Sequence, residues 1–162
     1  MSYTMSAQVI GDKELKAAFE NAPKVVAREL GNAIEKTARE VQRKAVQYAP
    51  HMYGMLQQSI ITKGPVVTQK NVFATVGTDK LYARYQEEGT GIHGPKGQMI
   101  RPKTARAMPI VGRGGHVLGW TRKSQGVRPK RYMKRAREDA LPLMTNYIKD
   151  ALSKILHFLA KG

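Results

Sequence analysis

The chain has 162 residues, 41% of them apolar and 25% charged, the balance of one folded domain with a real core rather than of a disordered segment. Twenty-eight Lys and Arg against twelve Asp and Glu leave a net charge of +16, which points to a polyanion or an acidic surface as partner. The absence of cysteine excludes a disulfide framework and a thiolate metal site, and no apolar run approaches the ~18 residues of a membrane span. The first residues lack a charged stretch followed by an apolar one, so no signal peptide is expected. A chain without cysteine suits assembly in a reducing cytoplasm.

Asp12 can cap a short helix over 12–22, after which Pro23 breaks or restarts the chain. From Lys24 the positions Val26, Leu30, Ala33, Ile34, Thr37, Ala38, Val41, Ala45 and Tyr48 follow the alternating three- and four-residue steps of one buried helix face. Such a helix is ~37 Å long at 1.5 Å per residue. Glu35 with Arg39 and Glu40 with Lys44 form i,i+4 pairs on the opposite face. Ala49-Pro50 stops the helix, because a residue before proline avoids the α region. Gly54 is then a turn or cap, and Leu56 and Ile60 are core candidates.

Two strands are expected over 59–67 and 71–78. In the second, Val72, Ala74 and Val76 alternate with Phe73, Thr75 and Gly77. Gly64-Pro65 marks a bulge or an edge in the first, and Thr68-Gln69-Lys70 closes the hairpin. A short helix over 80–88 follows, with Leu81, Tyr82, Tyr85 and Glu88 on one side and Gly89 as its stop.

The stretch 89–137 holds thirteen of the Lys and Arg residues and no Asp or Glu. Solubility does not require such clustering. A second hairpin is expected here, with strands over 103–111 and 116–123 joined by Gly112-Arg113-Gly114-Gly115, and Trp120 on the second strand. Gly126 to Pro129 punctuates the chain. A last helical region over 130–160 carries two apolar stripes. One holds Tyr132, Met133, Ala136 and Ala140; the other holds Met144, Tyr147, Ile148, Ala151, Leu152, Ile155, Leu156 and Leu159. Pro142 between them is expected to kink the helix or start a new one. The fold class is therefore α+β: a long N-terminal amphipathic helix and a C-terminal helix packed on a small antiparallel sheet, with an extended basic β-hairpin. A single domain over 1–162 is expected, with 89–128 as an extension within it.

The chemistry-bearing patterns are few. Gly89-Thr90-Gly91-Ile92-His93-Gly94 matches G-x-G-x-x-G, but a helical segment precedes it and Pro95 follows, which is the wrong setting for a dinucleotide site. His51, His93, His116 and His157 share no ligand spacing. The carboxylate pairs Glu87-Glu88 and Glu138-Asp139 are sequence neighbours, which point different ways on a helix. Ser59, Ser124 and Ser153 lack a nucleophile-elbow setting. No enzyme activity, metal or cofactor is expected. Lys and Arg interleaved with Trp120 and Tyr132 could hold single-stranded nucleic acid. No base-reading motif is present, so sequence-blind contact with phosphates or with an acidic protein surface is the reading that remains.

Three motifs occur in an informative order. Ala49-Pro50, Gly54, Leu56 and Ser59-Ile60 follow the long helix. Tyr82-Ala83, Tyr85 and Glu87-Glu88-Gly89-Thr90 follow the first hairpin. Pro129, Tyr132-Met133 and Ala136 open the last helix. Over 10–140 this resembles the tail-completion or neck proteins, minor tail components, of long-tailed bacteriophages of the lambdoid type. Their motifs read Ala-Pro-x-x-Thr-Gly-x-Leu, Tyr-Ala-x-x-x-Glu-x-Gly-Thr and Pro-x-Pro-Phe-Met/Leu. Here Tyr53 stands where Thr or Ser is usual, Glu87 occupies the family's glutamate position, Lys130-Arg131 replaces the second proline and Tyr132 replaces Phe. The resemblance implies a structural protein of the virion, assembled in the host cytoplasm as a homo-oligomeric ring around the channel where tail joins neck. Its implied neighbours are neck or head-closure proteins and tail terminator or tail-tube proteins. Pro50, Gly54, Leu56, Tyr82, Tyr85, Glu87, Gly89, Thr90, Pro129 and Tyr132 are then motif positions of structural weight. Arg101, Lys103, Arg106, Arg113, Arg122 and Lys123 are the candidate basic arm, facing either a protein partner or DNA in the channel. The alternatives are a sequence-nonspecific nucleic-acid-binding protein and a tail terminator.

Overall fold

The computed structural model describes residues 5–6, 23–51, 54–68, 71–112 and 114–161. The helix expected over 12–22, Tyr53, Gln69, Lys70 and the hairpin tip Arg113 lie outside these residues. The chain folds as two compact units, one of residues 1–80 with 132–162 and one of residues 81–131.

The first unit is built on α1 (Pro23–Tyr48). Its apolar face forms as the spacing requires: Val26, Leu30, Ala33, Ile34, Ala38, Val41 and Ala45 are all buried. Thr37 shares that face without an unpaired hydroxyl, because its Oγ1 donates to the Ala33 carbonyl at 2.8 Å. Glu35 pairs with Arg39 at 2.7 Å as expected. Glu40, however, pairs with Arg43 at 2.8 Å, and Lys44 instead reaches Asp139 at 3.9 Å. Arg43, one turn on, brings a forked guanidinium to the carboxylate, and both its Nε and its Nη2 donate there.

Gly54, at φ +68, gives the left-handed turn that leads into α2 (Met55–Ser59). Leu56 and Ile60 anchor this corner at 2% and 1% exposure. Ser59 falls in α2, so β2 spans Ile61–Val67 and starts later than expected. β3 spans Val72–Gly77 and pairs antiparallel with β2, with a register shift between Lys63 and Val66 at the Gly64-Pro65 bulge. The Thr68 amide donates to the Asn71 carbonyl at 2.8 Å across the turn. β1 (Met5–Ser6) pairs with the other edge of β3, giving the order β1-β3-β2. Val72, Ala74 and Val76 face inward, matching their alternation.

Polar clips seat this segment on α1. The Gln42 side chain donates to the Ile60 carbonyl at 2.8 Å and accepts from Thr62 Oγ1 at 2.9 Å, and Gln57 donates to the Val46 carbonyl at 3.0 Å. The last helix of this unit, Tyr132–Lys161, packs chiefly on α1, which also covers β2 and β3. α1 is thus the middle layer of the unit. Tyr48 lies by Asp139 and Glu29 by Lys154, so the two long helices run antiparallel. Small buried residues, Ala33 on α1 and Ala136, Ala140 and Ala151 on the last helix, leave room for close backbone approach, and Tyr132, Met133 and Ile155 are buried with them.

That last helix does not break at Pro142. Pro142 is exposed, so the carbonyl that loses its donor one turn earlier can turn to water. The helix also starts at Tyr132 rather than Lys130, because Arg131 sits at φ +52, outside the helical region.

The second unit opens with α3 (Leu81–Glu88). Its buried side chains are Ala83 and Glu87, whereas Leu81, Tyr82 and Tyr85 are exposed at 76%, 39% and 56%. The face expected from Leu81, Tyr82, Tyr85 and Glu88 is therefore not the covered one. A 3-10 turn, Gly91–His93, follows. The hairpin consists of β4 (Met108–Val111) and β5 (Val117–Thr121), shorter than the strands expected over 103–111 and 116–123. Pro102 and Pro109 donate no backbone hydrogen bond, which limits the ladder on that side. Beyond it the two strands meet again only at the isolated bridge between Ile100 and Ser124. The final helix of the chain, Tyr132–Lys161, is numbered α4.

Candidate functional site

The base of the hairpin is a backbone clasp. The Thr90 amide donates to the Val127 carbonyl at 2.9 Å, and Thr90 Oγ1 accepts from the Val127 amide at 2.9 Å. The Ile92 amide donates to the Gln125 carbonyl at 3.0 Å. Lys130 and Arg131 donate to the carbonyls of Gln86 and Glu87, at 2.7 and 3.3 Å. The two strands can come this close because Gly91 and Gly126 carry no side chain. A Cβ on Gly91 would strike the Gln125 carbonyl, one on Gly126 would strike that of Thr90, and both residues have positive φ. The glycines of the G-x-G-x-x-G match thus hold backbone against backbone, which leaves no cradle for a phosphate.

Past the clasp, the paired Ile100 and Ser124 exchange two hydrogen bonds of 2.9 Å, and the hairpin runs on to its glycine tip. There the Gly112 amide donates to the His116 carbonyl at 2.9 Å, with Gly114 and Gly115 both at positive φ. The register pairs Met108 with Thr121, Pro109 with Trp120 and Ile110 with Gly119, then shifts before Val111 meets Val117. Opposed residues share a face, so Trp120 lies with Pro109 on one face, and Ile110 with Gly119 on the other. Neither face is covered. Leu118 is 74% exposed, Trp120 68%, Val111 57%, Val117 53% and Ile110 47%.

Arg101, Lys103, Arg106, Arg122 and Lys123 are all exposed. Among the described residues, no ion pair involves any Lys or Arg from 96 to 131. Arg113 lies outside the described residues. The two aromatics of this stretch separate: Trp120 faces solvent, while Tyr132 is 1% exposed and belongs to the core of the first unit.

The other motif positions take different places. Gly54, Leu56, Glu87 and Gly89 are buried, Pro50, Thr90 and Pro129 are half-buried, and Tyr82 and Tyr85 are exposed. Gly89, at φ +78, ends α3 with its amide donating to Tyr85 at 3.0 Å, and a Cβ there would come within 2.8 Å of Pro129 and of the His93 carbonyl. Position 89 therefore joins the second motif to the third.

In the first unit, a groove of about 540 Å³ runs between α1 and α4. Two of its carboxylates are engaged by neighbours, Glu29 by Arg28 and Lys154 and Glu35 by Arg39, and Asp150 also lines it. Near the other end of the helices, Tyr48 donates to Asp139 at 2.5 Å with the Arg135 guanidinium 4.5 Å above its ring. That hydrogen bond, then burial, raise the phenol's pKa above its ordinary value. No group of His, Asp or Glu among the described residues has the arrangement of a metal site, and no described helix is long and apolar enough to cross a membrane.

The reading of the sequence missed Leu118, Val111, Val117 and Ile110 as surface residues. Their signal is the consecutive pair Val117-Leu118 beside Trp120: apolar residues on both faces of a ribbon too small to cover either. It also missed Gly126 as the counterpart of Thr90, a pairing between distant parts of the chain with no local signature.

Residues 13–89 match the model of the family described as "Bacteriophage HK97-gp10, putative tail-component". No curated protein and no solved structure matches the chain. The matched stretch contains α1, the Pro50 to Leu56 corner, the β2–β3 hairpin and α3 up to Gly89. It bears out the resemblance that the first two motifs carry, and it supports a structural role as a bacteriophage tail component, within the virion. The β4–β5 hairpin and the third motif lie beyond it.

Proposed function

We propose that this chain is a non-enzymatic joining protein of the phage virion, a ring-forming tail-completion component that connects the tail to the neck of the head. The observation that carries this reading is the family match over 13–89, which spans α1, the β2–β3 hairpin and α3 and ends at Gly89, just before the clasp. In this reading the domain is single, with 89–128 as its extension, and copies of the helix–sheet body repeat around the ring. Its neighbours are neck or head-closure proteins on one side and terminator or tube proteins on the other. The exposed, unpaired bases Arg101, Lys103, Arg106, Arg122 and Lys123 form the partner-facing arm. The same bases support a second reading, nonspecific contact with DNA phosphates, which needs only placed positive charge.

Negative-stain imaging of particles made without this protein tests the proposal. Full heads and finished tails that stay apart are the expected result, restored to joined particles by adding the purified protein. Normal joining in its absence would overturn it. Native mass spectrometry tests the ring: a closed oligomer is expected, alone or on meeting a neck or tail protein.

A further inference from the structure

We propose that the β4–β5 hairpin is an apolar plug, covered in the assembled particle by an apolar cleft with an acidic rim on a different protein. This deepens, and rests on, the reading of the chain as a joining protein. A two-stranded ribbon cannot bury its own faces. Here Leu118, Trp120, Val111, Val117 and Ile110 are between 47% and 74% exposed, a concentration of large apolar side chains that marks a contact surface. Trp is enriched at interface centres, and here the exposed Trp120 has Arg122 two residues on.

Charge selects the partner. From 89 to 137 there is no Asp or Glu, and the exposed Arg101, Lys103, Arg106, Arg122 and Lys123 have no ion pair within the described residues. A second copy's hairpin carries the same sign and repels this one. DNA phosphates would satisfy the bases but leave Leu118, Val111 and Val117 in water. An apolar cleft ringed by carboxylates satisfies both sets at once.

The double substitution Leu118→Ser and Trp120→Ser tests this. Both side chains are more than two-thirds exposed, so the unfolding midpoint is expected to hold. Added to particles made without the protein, the variant is expected to restore joining at least about tenfold less well than wild type. Its affinity for a 30-base-pair DNA duplex and its oligomeric state are expected to match wild type within about twofold. Full restoration by the variant would overturn the plug while leaving the joining role intact. Particles that join without any copy of the protein would overturn both. DNA affinity falling in parallel would make the surface a nucleic-acid interface, and loss of self-association would make the occupant a second copy; either result overturns the proposal. Should the variant misfold, the wild-type chain serves. Trp120 is its only tryptophan, so 5-fluorotryptophan in this protein alone reports one site. Its fluorine signal is expected to be reached by a soluble paramagnetic agent in the free protein and shielded in the joined particle; equal access in both states would overturn the plug.

Discussion

The α1–α4 body and the β4–β5 hairpin use apolar residues in opposite ways. In the body a continuous set is sorted inward: Val26, Leu30, Ile34 and Ile155 are at 0–2% exposure, although Met55, Leu156 and Phe158 stay about half exposed, and several of the bases stand in ion pairs such as Glu35–Arg39 and Glu29–Lys154. In the hairpin they are unsorted, with Leu118 and Trp120 in water and the flanking bases without acidic neighbours. A region that satisfies itself specifies a fold. A region that leaves both its apolar and its charged groups unsatisfied specifies a partner.

The largest expected effect sharpens the body's side of this contrast. Leu56→Ala removes a side chain that is 2% exposed at the Pro50–Ile60 corner and should cost about 2–5 kcal/mol in urea unfolding. A loss below about 1 kcal/mol would show that the corner is not part of the core.

Next comes the clasp between the hairpin and its base. Gly126→Ala puts a methyl against the Thr90 carbonyl at φ +85 and should cost about 1–3 kcal/mol locally. Amide exchange at Thr90, Ile92 and Val127 should quicken, while exchange along α1 stays slow. Uniform quickening along the whole chain would break the distinction between the two regions.

On the hairpin, charge removal should hardly touch stability. Arg122→Gln with Lys123→Gln should change it by about 0.5 kcal/mol or less per site. If these two side chains meet phosphate, the salt dependence of DNA binding should shallow by about 0.9 log units for each phosphate that is no longer neutralised. An unchanged slope would assign them to a protein partner.

The smallest effect concerns Tyr48 and Asp139. The phenol's pKa is raised in the folded chain, so the hydrogen bond's contribution is fully present below the ordinary pKa of 10.0 and is lost as pH rises through the raised value. The stability gap between wild type and Tyr48→Phe should therefore be constant at neutral pH and narrow in alkali. A gap that widened with pH would contradict the pairing.

How far these features could be read in advance follows from their range in sequence. The α1 face, the β3 alternation and the Gly54 turn are set by neighbours within a few residues, so periodicity finds them. Continuity through Pro142 depends on which side of α4 the proline falls, which packing decides. The choice of Arg43 over Lys44 depends on Asp139, which is far along the chain and draws Lys44 away. In the basic stretch, counting charge found the region but hid its apolar half. Trp120 and Tyr132 look alike as aromatics among bases, yet one faces water and the other is core, and only the end of the hairpin and the start of α4 between them distinguish the two.

The most direct test of this contrast is amide hydrogen exchange on the same protein, free and in joined particles. The account predicts slow exchange along α1 and β3 in both states, with new protection in the particle concentrated over 108–121. A hairpin that exchanges as fast in the particle as in the free chain would contradict it.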